Sequence, residues 1–415
     1  MSGSANTSSR QTSVSIERNA VFVNQSSKGE HKVFEYFPEN YTWNLAFMSG
    51  MNRGGALGDL DEACRSLKAH AGRRDAVAQQ AWYESFMKVA ERSEALARRD
   101  EEAGNLFSAG RKYVRAGVYY LLAERMPSHK NPGKAVAYRK ALAAYEKGYR
   151  LRGDPVERVD IPFRGTSLPA LFSKAPGSGR APCVVHFDGF DITKELIYGA
   201  AAEEYRRRGI SLLIVDHPGV GEALRLRGLA GSHDTEVPAA ACVDYVQTRA
   251  DVDPQRIGVA GVSLGGYYAP RAAAFEKRFK CCVCWGALYD FDEIMENRAA
   301  NRSEPSVPGH DDHAQWVFGK QSAKEVREVT RRLTLKGVMD KITCPILIVH
   351  GENDRQIPLQ HAERTYQEAV NSSMRELKVF TLSEGGAEHC AADDNALAVD
   401  YMADWVARVL GGKRA

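Results

Sequence analysis

After the stretch RGDP at 152–155, the chain turns to short β-branched runs alternating with helical segments. No other feature constrains the fold as much. VERVDIPF and LPALFS read as a hairpin pair. Six apolar runs follow: PCVVHFDG, SLLIVDHPG, RIGVAGVS, KCCVCWGA, PILIVHGEND and ELKVFTL, each ending near Gly, Pro or Asp. Stretches such as KELIYGAAAEEYRRRG and AAACVDYVQTRADV, with helical spacing, separate most of them. Strands that are apolar on both faces must be covered on both faces. The pattern therefore predicts an α/β fold built on a mostly parallel, doubly wound sheet. Ligands bind such sheets at the carboxyl ends of the strands, so the residues closing each run are the ones to read for chemistry.

The first 150 residues follow a different pattern. GDLDEACRSLKAHA, the long block AVAQQAWYESFMKVAERSEALARRDEEAGNLFSAGRKYVRAGVYYLLAERM, and GKAVAYRKALAAYEKGYRL carry apolar residues every three or four positions. Asp59 and Asp61 stand where a cap opens the first, and Pro127, Asn131, Pro132 and Gly133 separate the second from the third. The expected division is a disordered polar tail over 1–30, a helical domain over 31–152 and an α/β domain over 153–415.

Composition narrows the function by exclusion. With 56 Lys+Arg against 53 Asp+Glu, the net charge of +3 gives no basic field for nucleic acid or a membrane surface. No run reaches the ~18–20 apolar residues of a membrane span. MSGSANTSSRQT has no apolar core of a secretory signal. The eight cysteines fall mainly inside apolar runs and form no paired zinc spacing, as expected of reduced core thiols in a cytoplasmic protein. Neither a metal nor a cofactor is expected.

The chemistry centres on Gly261-Val262-Ser263-Leu264-Gly265, a G-x-S-x-G between the strand signal RIGVAGV and the helical LGGYYAPRAAAFEKRF. Such a turn lifts a serine to the top of a sheet, and it is too tight for side chains at the flanking glycines. A serine hydroxyl is a poor nucleophile without a base to take its proton and a carboxylate to orient that base. Asp354, after PILIVHG, and His389, in SEGGAEHC after the last strand signal, supply these in the order serine, acid, histidine. Glu352 and Asp340 compete with Asp354, and His389 is one of eleven histidines. Backbone donors for an oxyanion are expected at Leu264 and, in the loop HFDGFD, at Phe190 beside Gly189. DHPGVGEA places His217 at the pocket floor. Trp43, Phe47, Met48, Met51 and Trp82 either line the underside of the helical half or pack within it.

AGNLFSAGRKYVRAGVYYLLAERM, HFDGFDITKELIY, VDHPGVGEA, the serine turn, ILIVHGENDRQIP and EGGAEHC together carry a resemblance over nearly the whole chain. The chain resembles α/β-hydrolases with a helical N-terminal lid, a group taking in nicotine-breakdown hydrolases, fungal polyketide-shortening hydrolases and FrsA-like proteins. The likeness implies an α/β-hydrolase fold with an all-helical lid over 31–152, which also dimerises, and a catalytic domain over 153–415. It implies a serine hydrolase that cuts a carbon–carbon bond next to a ketone in an aryl-ketone or polyketide-like small molecule. Some members are esterases, so an ester or lactone stays open, as does a non-catalytic binding role. An acidic side chain near the leaving group is implied, with Asp191, Glu293 and Glu296 the candidates by position, each of which also reads as a surface charge or cap. HFDGFD stands where relatives often show paired glycines, and Val262 where the nicotine-breakdown enzyme has Arg.

Overall fold

The alternation after residue 155 is realised as one eight-stranded sheet. The computed structural model describes residues 34–300 and 302–412, so the expected polar tail lies outside the described residues. Five helices come first: α1 (Tyr41–Asn52), α2 (Leu57–Arg65), α3 (Ala76–Glu102), α4 (Leu106–Arg125) and α5 (Pro132–Arg152). Side-chain oxygens of Asn40, Asp75 and Asn131 accept amide hydrogens at the starts of α1, α3 and α5, and Pro132 fits the first position of α5. The long apolar block is two helices, not one. Gly104, at φ +78°, takes a left-handed conformation that closes α3 and lets the chain reverse into α4.

The helical half has its own core. Trp82 is fully buried, packs at a tilt against Trp43 and Phe86 at centroid distances of 5.1 and 4.6 Å, and donates its indole N–H to the Leu122 carbonyl at 2.7 Å.

The remaining elements run β1 (Val156–Phe163), β2 (Thr166–Ser173), β3 (Ala181–Phe187), α6 (Lys194–Arg207), β4 (Ser211–Val215), α7 (Gly221–Arg225), α8 (Glu236–Thr248), β5 (Val252–Val262), α9 (Gly265–Phe275) and β6 (Cys282–Trp285). They close with α10 (Phe291–Ala299), α11 (His310–Phe318), α12 (Ala323–Thr330), β7 (Ile346–Gly351), α13 (Leu359–Glu368), β8 (Arg375–Phe380) and α14 (Asn395–Leu410). Strand order is β1-β2-β4-β3-β5-β6-β7-β8. The hairpin β1–β2 and the pair β2–β4 are antiparallel, and every other pairing is parallel. Helices α8 and α9 bury one face, and α6 and α14 bury the other. This is the α/β-hydrolase sheet with a helical N-terminal region.

Register sets the site. Phe187 pairs with Gly261, and Trp285 pairs with both Val262 and Val349. The loops after β3, β5, β6 and β7 therefore emerge side by side at the carboxyl edge. The segment carrying α10–α12 between β6 and β7 crosses to the helical half. There Thr42 donates to the Pro305 carbonyl at 2.9 Å and Lys130 pairs with Asp312 at 2.6 Å. All eight cysteines are free. No helix among the described residues is long and apolar enough to cross a membrane.

Candidate active site

Ser263 opens the turn between β5 and α9 at φ +58°, a left-handed conformation costly for a residue with a Cβ and typical of functional turns. The neighbouring glycines are sterically required. A Cβ on Gly261 would stand 2.1 Å from the Gly265 carbonyl oxygen, and one on Gly265 would stand 2.8 Å from that of Phe187. A Cβ on Gly266 would stand 2.4 Å from the Gly286 carbonyl oxygen. The Ser263 amide donates to the Trp285 carbonyl at 2.8 Å, which pins the turn to the next strand.

The structure brings Ser263, His389 and Asp354 together. Ser263 Oγ lies 2.9 Å from His389 Nε2, and His389 Nδ1 lies 2.7 Å from Asp354 Oδ2. Asp354 Oδ1 accepts the amides of Gln356 and Ile357 at 2.8 and 2.9 Å, so its carboxylate is fixed on both oxygens. Glu352 is tied instead to the Leu382 amide, and Asp340 sits beside Lys341 at the surface. The histidine loop is strained in its turn, with Cys390 and Ala391 at φ +51° and +52°.

Burial opposes charge on both members of the His389–Asp354 pair, but their mutual attraction wins. Burial alone would raise the Asp354 carboxyl; the His389 charge and the amide bonds bring it below the usual carboxylate range. Burial likewise disfavours the imidazolium, and Asp354 with Cys390 nonetheless holds the His389 pKa well above an ordinary histidine's.

Gly189 stands over the serine. A Cβ there would sit 3.0 Å from the Ser263 Cβ and 3.1 Å from the Val262 carbonyl oxygen. The amides of Leu264 and Phe190 find no protein acceptor among the described residues. The Phe190 ring is held by His310, stacked at 5.1 Å, and by His313, edge-on at 4.8 Å.

The other residues singled out from sequence divide by position. Met48 clusters with Tyr41 and Leu45 against Ala392, in the histidine loop. Trp43 and Trp82 belong to the aromatic core of the helical half, the packing alternative that their helical spacing left open. Phe47 lies in the same core and Met51 is exposed. His217 is buried with both ring nitrogens toward carbonyls, of Pro218 and Asp188. It walls a cavity with Phe163 and Tyr268 that none of the three triad residues lines. Asp191 is bound to Arg125 at 2.7 Å. Glu293 and Glu296 lie on α10 as surface charges. They pair with Arg364 and Arg327 at 3.0 and 2.8 Å with side chains 44% and 58% exposed, facing solvent.

Three cations over the site were not foreseen. Arg125 ends α4 and grips Asp191 and the Ser306 carbonyl. Arg53 follows Asn52, whose amide donates to the Ala392 carbonyl at 2.8 Å. Arg298, on α10, is hydrogen-bonded to His310. Nothing in the local sequence marks them, since an arginine near a helix end reads as a solvated charge. Among the described residues no cluster of His, Cys, Asp and Glu could hold a metal ion.

A serine in a strained strand-to-helix turn, its histidine and its buried carboxylate, on this sheet, define an enzyme of the α/β-hydrolase class with a serine-hydrolase-type triad. Residues 208–413 match the prolyl oligopeptidase family (Peptidase_S9). The chain is 29% identical to 2,6-dihydropseudooxynicotine hydrolase of Paenarthrobacter nicotinovorans over 83% of its own length and 89% of that protein's. It is 27% identical to 20-hydroxy-prefusarin hydrolase of Gibberella moniliformis over 81% and 89%. The solved 2,6-dihydroxy-pseudo-oxynicotine hydrolase superposes with a TM-score of 0.73 at 25% identity, covering 89% of this chain and 97% of that one. The chain is a relative of these hydrolases.

Proposed function

We propose that this hydrolase cleaves a carbon–carbon bond next to a ketone in an aryl-ketone or polyketide-like small molecule, with Ser263 as nucleophile. The observation that carries the reading is the continuous hydrogen-bond chain from Ser263 through His389 to buried Asp354. The names of two relatives, a 2,6-dihydropseudooxynicotine hydrolase and a 20-hydroxy-prefusarin hydrolase, support a small-molecule substrate.

Ser263 Oγ attacks the carbonyl carbon and its proton passes to His389 Nε2. The oxyanion takes hydrogen bonds from the Leu264 and Phe190 amides, with Gly189 leaving it room. Collapse breaks the carbon–carbon bond, and its electron pair leaves as an enolate conjugated with the second carbonyl. His389 returns the proton to that carbon, releasing a ketone and leaving an acyl-serine. Water, deprotonated by His389, then frees the acid. No free carboxylate is needed at the leaving group, because Asp191 is bound to Arg125 and the imidazolium already carries the proton.

That same economy favours a second reading, an ester or lactone as substrate, since its better leaving group asks for nothing beyond the triad. Mass-spectrometric product analysis on matched aryl 1,3-diketones and aryl esters separates the two. The expected result is acid plus ketone from the diketone, absent in Ser263→Ala; ester cleavage alone overturns the carbon–carbon reading.

We further read the protein as a cytoplasmic homodimer joined through its helical half, acting as a lid, and working without cofactor. Leu57, Val77, Leu96, Leu106, Phe107 and Val136 are exposed apolar side chains of that half, although Phe275, Val370 and Met374 are exposed elsewhere, and free, mostly buried cysteines suit a reducing compartment. Light scattering at the mass of a single chain would refute the dimer.

A further inference from the structure

Resting on the reading of Ser263 as nucleophile, we infer that the site takes a substrate bearing a carboxylate, received by the guanidinium groups of Arg53 and Arg298 beside the triad. The argument is one of unbalanced charge. Three arginines converge on the loops that carry the oxyanion donors and the histidine. Arg125 is neutralised by Asp191 at 2.7 Å and further held by the Ser306 carbonyl at 3.0 Å. Arg53 and Arg298 have no such partner: among the described residues neither forms an ion pair with a carboxylate. Arg53 has only the Ser49 carbonyl, at 3.2 Å, and Arg298 only the His310 ring, while the Nε of each is buried without a hydrogen-bond partner.

Their positions tie them to the reacting groups. Arg53 follows Asn52, which holds the loop that carries His389 and the Cys390 thiol. That thiol lies 3.5 Å from His389 Nε2. Arg298 grips His310, whose ring lies on Phe190, and it feels the charges of Asp191 and Asp354. Neither aspartate is available to it, since Asp191 belongs to Arg125 and Asp354 to His389 and two amides. Asp311, close to His310, is 79% exposed and turned to solvent.

Leaving cations here is costly. Burial, with Arg125 adding repulsion, lowers the Arg53 pKa to about 10, and burial lowers that of Arg298 to about 10. A buried charge without a counter-charge persists where a ligand supplies one, and planar guanidinium donors match a carboxylate's two oxygens. A carboxylate on the far side of the substrate would also hold the ketone over Ser263.

The test uses phenylboronic acid and 4-carboxyphenylboronic acid, titrated calorimetrically into the full chain. The serine oxygen adds to boron in both, its proton passing to His389, so the two probes differ only in the carboxylate. The expected result is at least tenfold tighter binding of the carboxylated probe. That ratio should fall toward one in Arg53→Met and Arg298→Met and survive in Arg53→Lys and Arg298→Lys. Equal affinity for both probes in the wild type overturns the inference while leaving the nucleophile reading intact. Silence from both probes overturns the nucleophile reading, and this inference with it. Thermal melts identify any variant that fails to fold, in which case the wild-type ratio and the lysine variants decide.

Discussion

Gly189 faces Ser263 so closely that a single methyl group on it would stand 3.0 Å from the serine's Cβ and 3.5 Å from its Oγ. The register Phe187 opposite Gly261 creates this closeness, because the loops leaving β3 and β5 start from paired residues. On the proposed mechanism, a methyl there would crowd the oxyanion. Gly189→Ala is expected to lower kcat by about a hundred- to a thousandfold, the scale of losing one oxyanion donor, with a modest fall in melting temperature from the tight contact. Steady-state kinetics beside a thermal melt would check it, and full kcat would mean the oxyanion lies elsewhere.

The His389–Asp354 pair fixes the pH dependence. Imidazolium cannot take the serine proton, so the working form is neutral imidazole, which loses ground as pH falls through the His389 pKa. That pKa is held well above the ordinary histidine value of about 6.5. The expected profile of kcat/KM rises with pH and levels off on the alkaline side, with an apparent pKa above that of a free imidazole. Asp354→Asn removes the anion that holds the proton on. The rising limb should then move to lower pH while the plateau falls by about 10⁴-fold. A wild-type limb at or below the free value would contradict the pairing.

Asp188, directly after β3, gives a stability test. Both its carboxylate oxygens are buried without a hydrogen-bond partner among the described residues, and burial together with Asp216 pushes its pKa well up. A carboxyl whose folded pKa is raised stays neutral in the fold while the unfolded chain ionises. It therefore costs stability progressively as pH rises above the unfolded value of about 3.9. Asp188→Asn removes that cost. Its melting temperature is expected to exceed the wild type's at pH 8 by more than at pH 4, and the opposite ordering would refute a neutral Asp188.

How much of this could be read from the chain depended on how local each signal is. The strands announce themselves because an apolar run buried on both faces needs no partner to be recognised. The glycines around Ser263 do so because the turn itself excludes side chains. Asp354 and His389 follow from order along the chain once the serine turn is placed. Arg53, Arg125 and Arg298 were illegible for the opposite reason. An arginine at a helix end carries the same local pattern in water or over an active site, and only the docking of α1, α4 and α10 makes the difference. Glu293 and Glu296 stand as surface charges paired with Arg364 and Arg327, one of the two readings their place in the sequence allowed.

Trp82 separates packing from substrate contact. Its indole is fully buried against Trp43 and Phe86, and its N–H satisfies the Leu122 carbonyl at 2.7 Å. Trp82→Phe keeps an aromatic ring but strands that carbonyl and leaves a small void. The expected cost is about 1–3 kcal/mol from the unsatisfied acceptor, with a further contribution from lost packing. The melting temperature should fall while KM at a permissive temperature stays at the wild-type value, because the ring faces the helical core. A raised KM without a lowered melting temperature would return Trp82 to the wall of the substrate site and make the underside of α3 part of it.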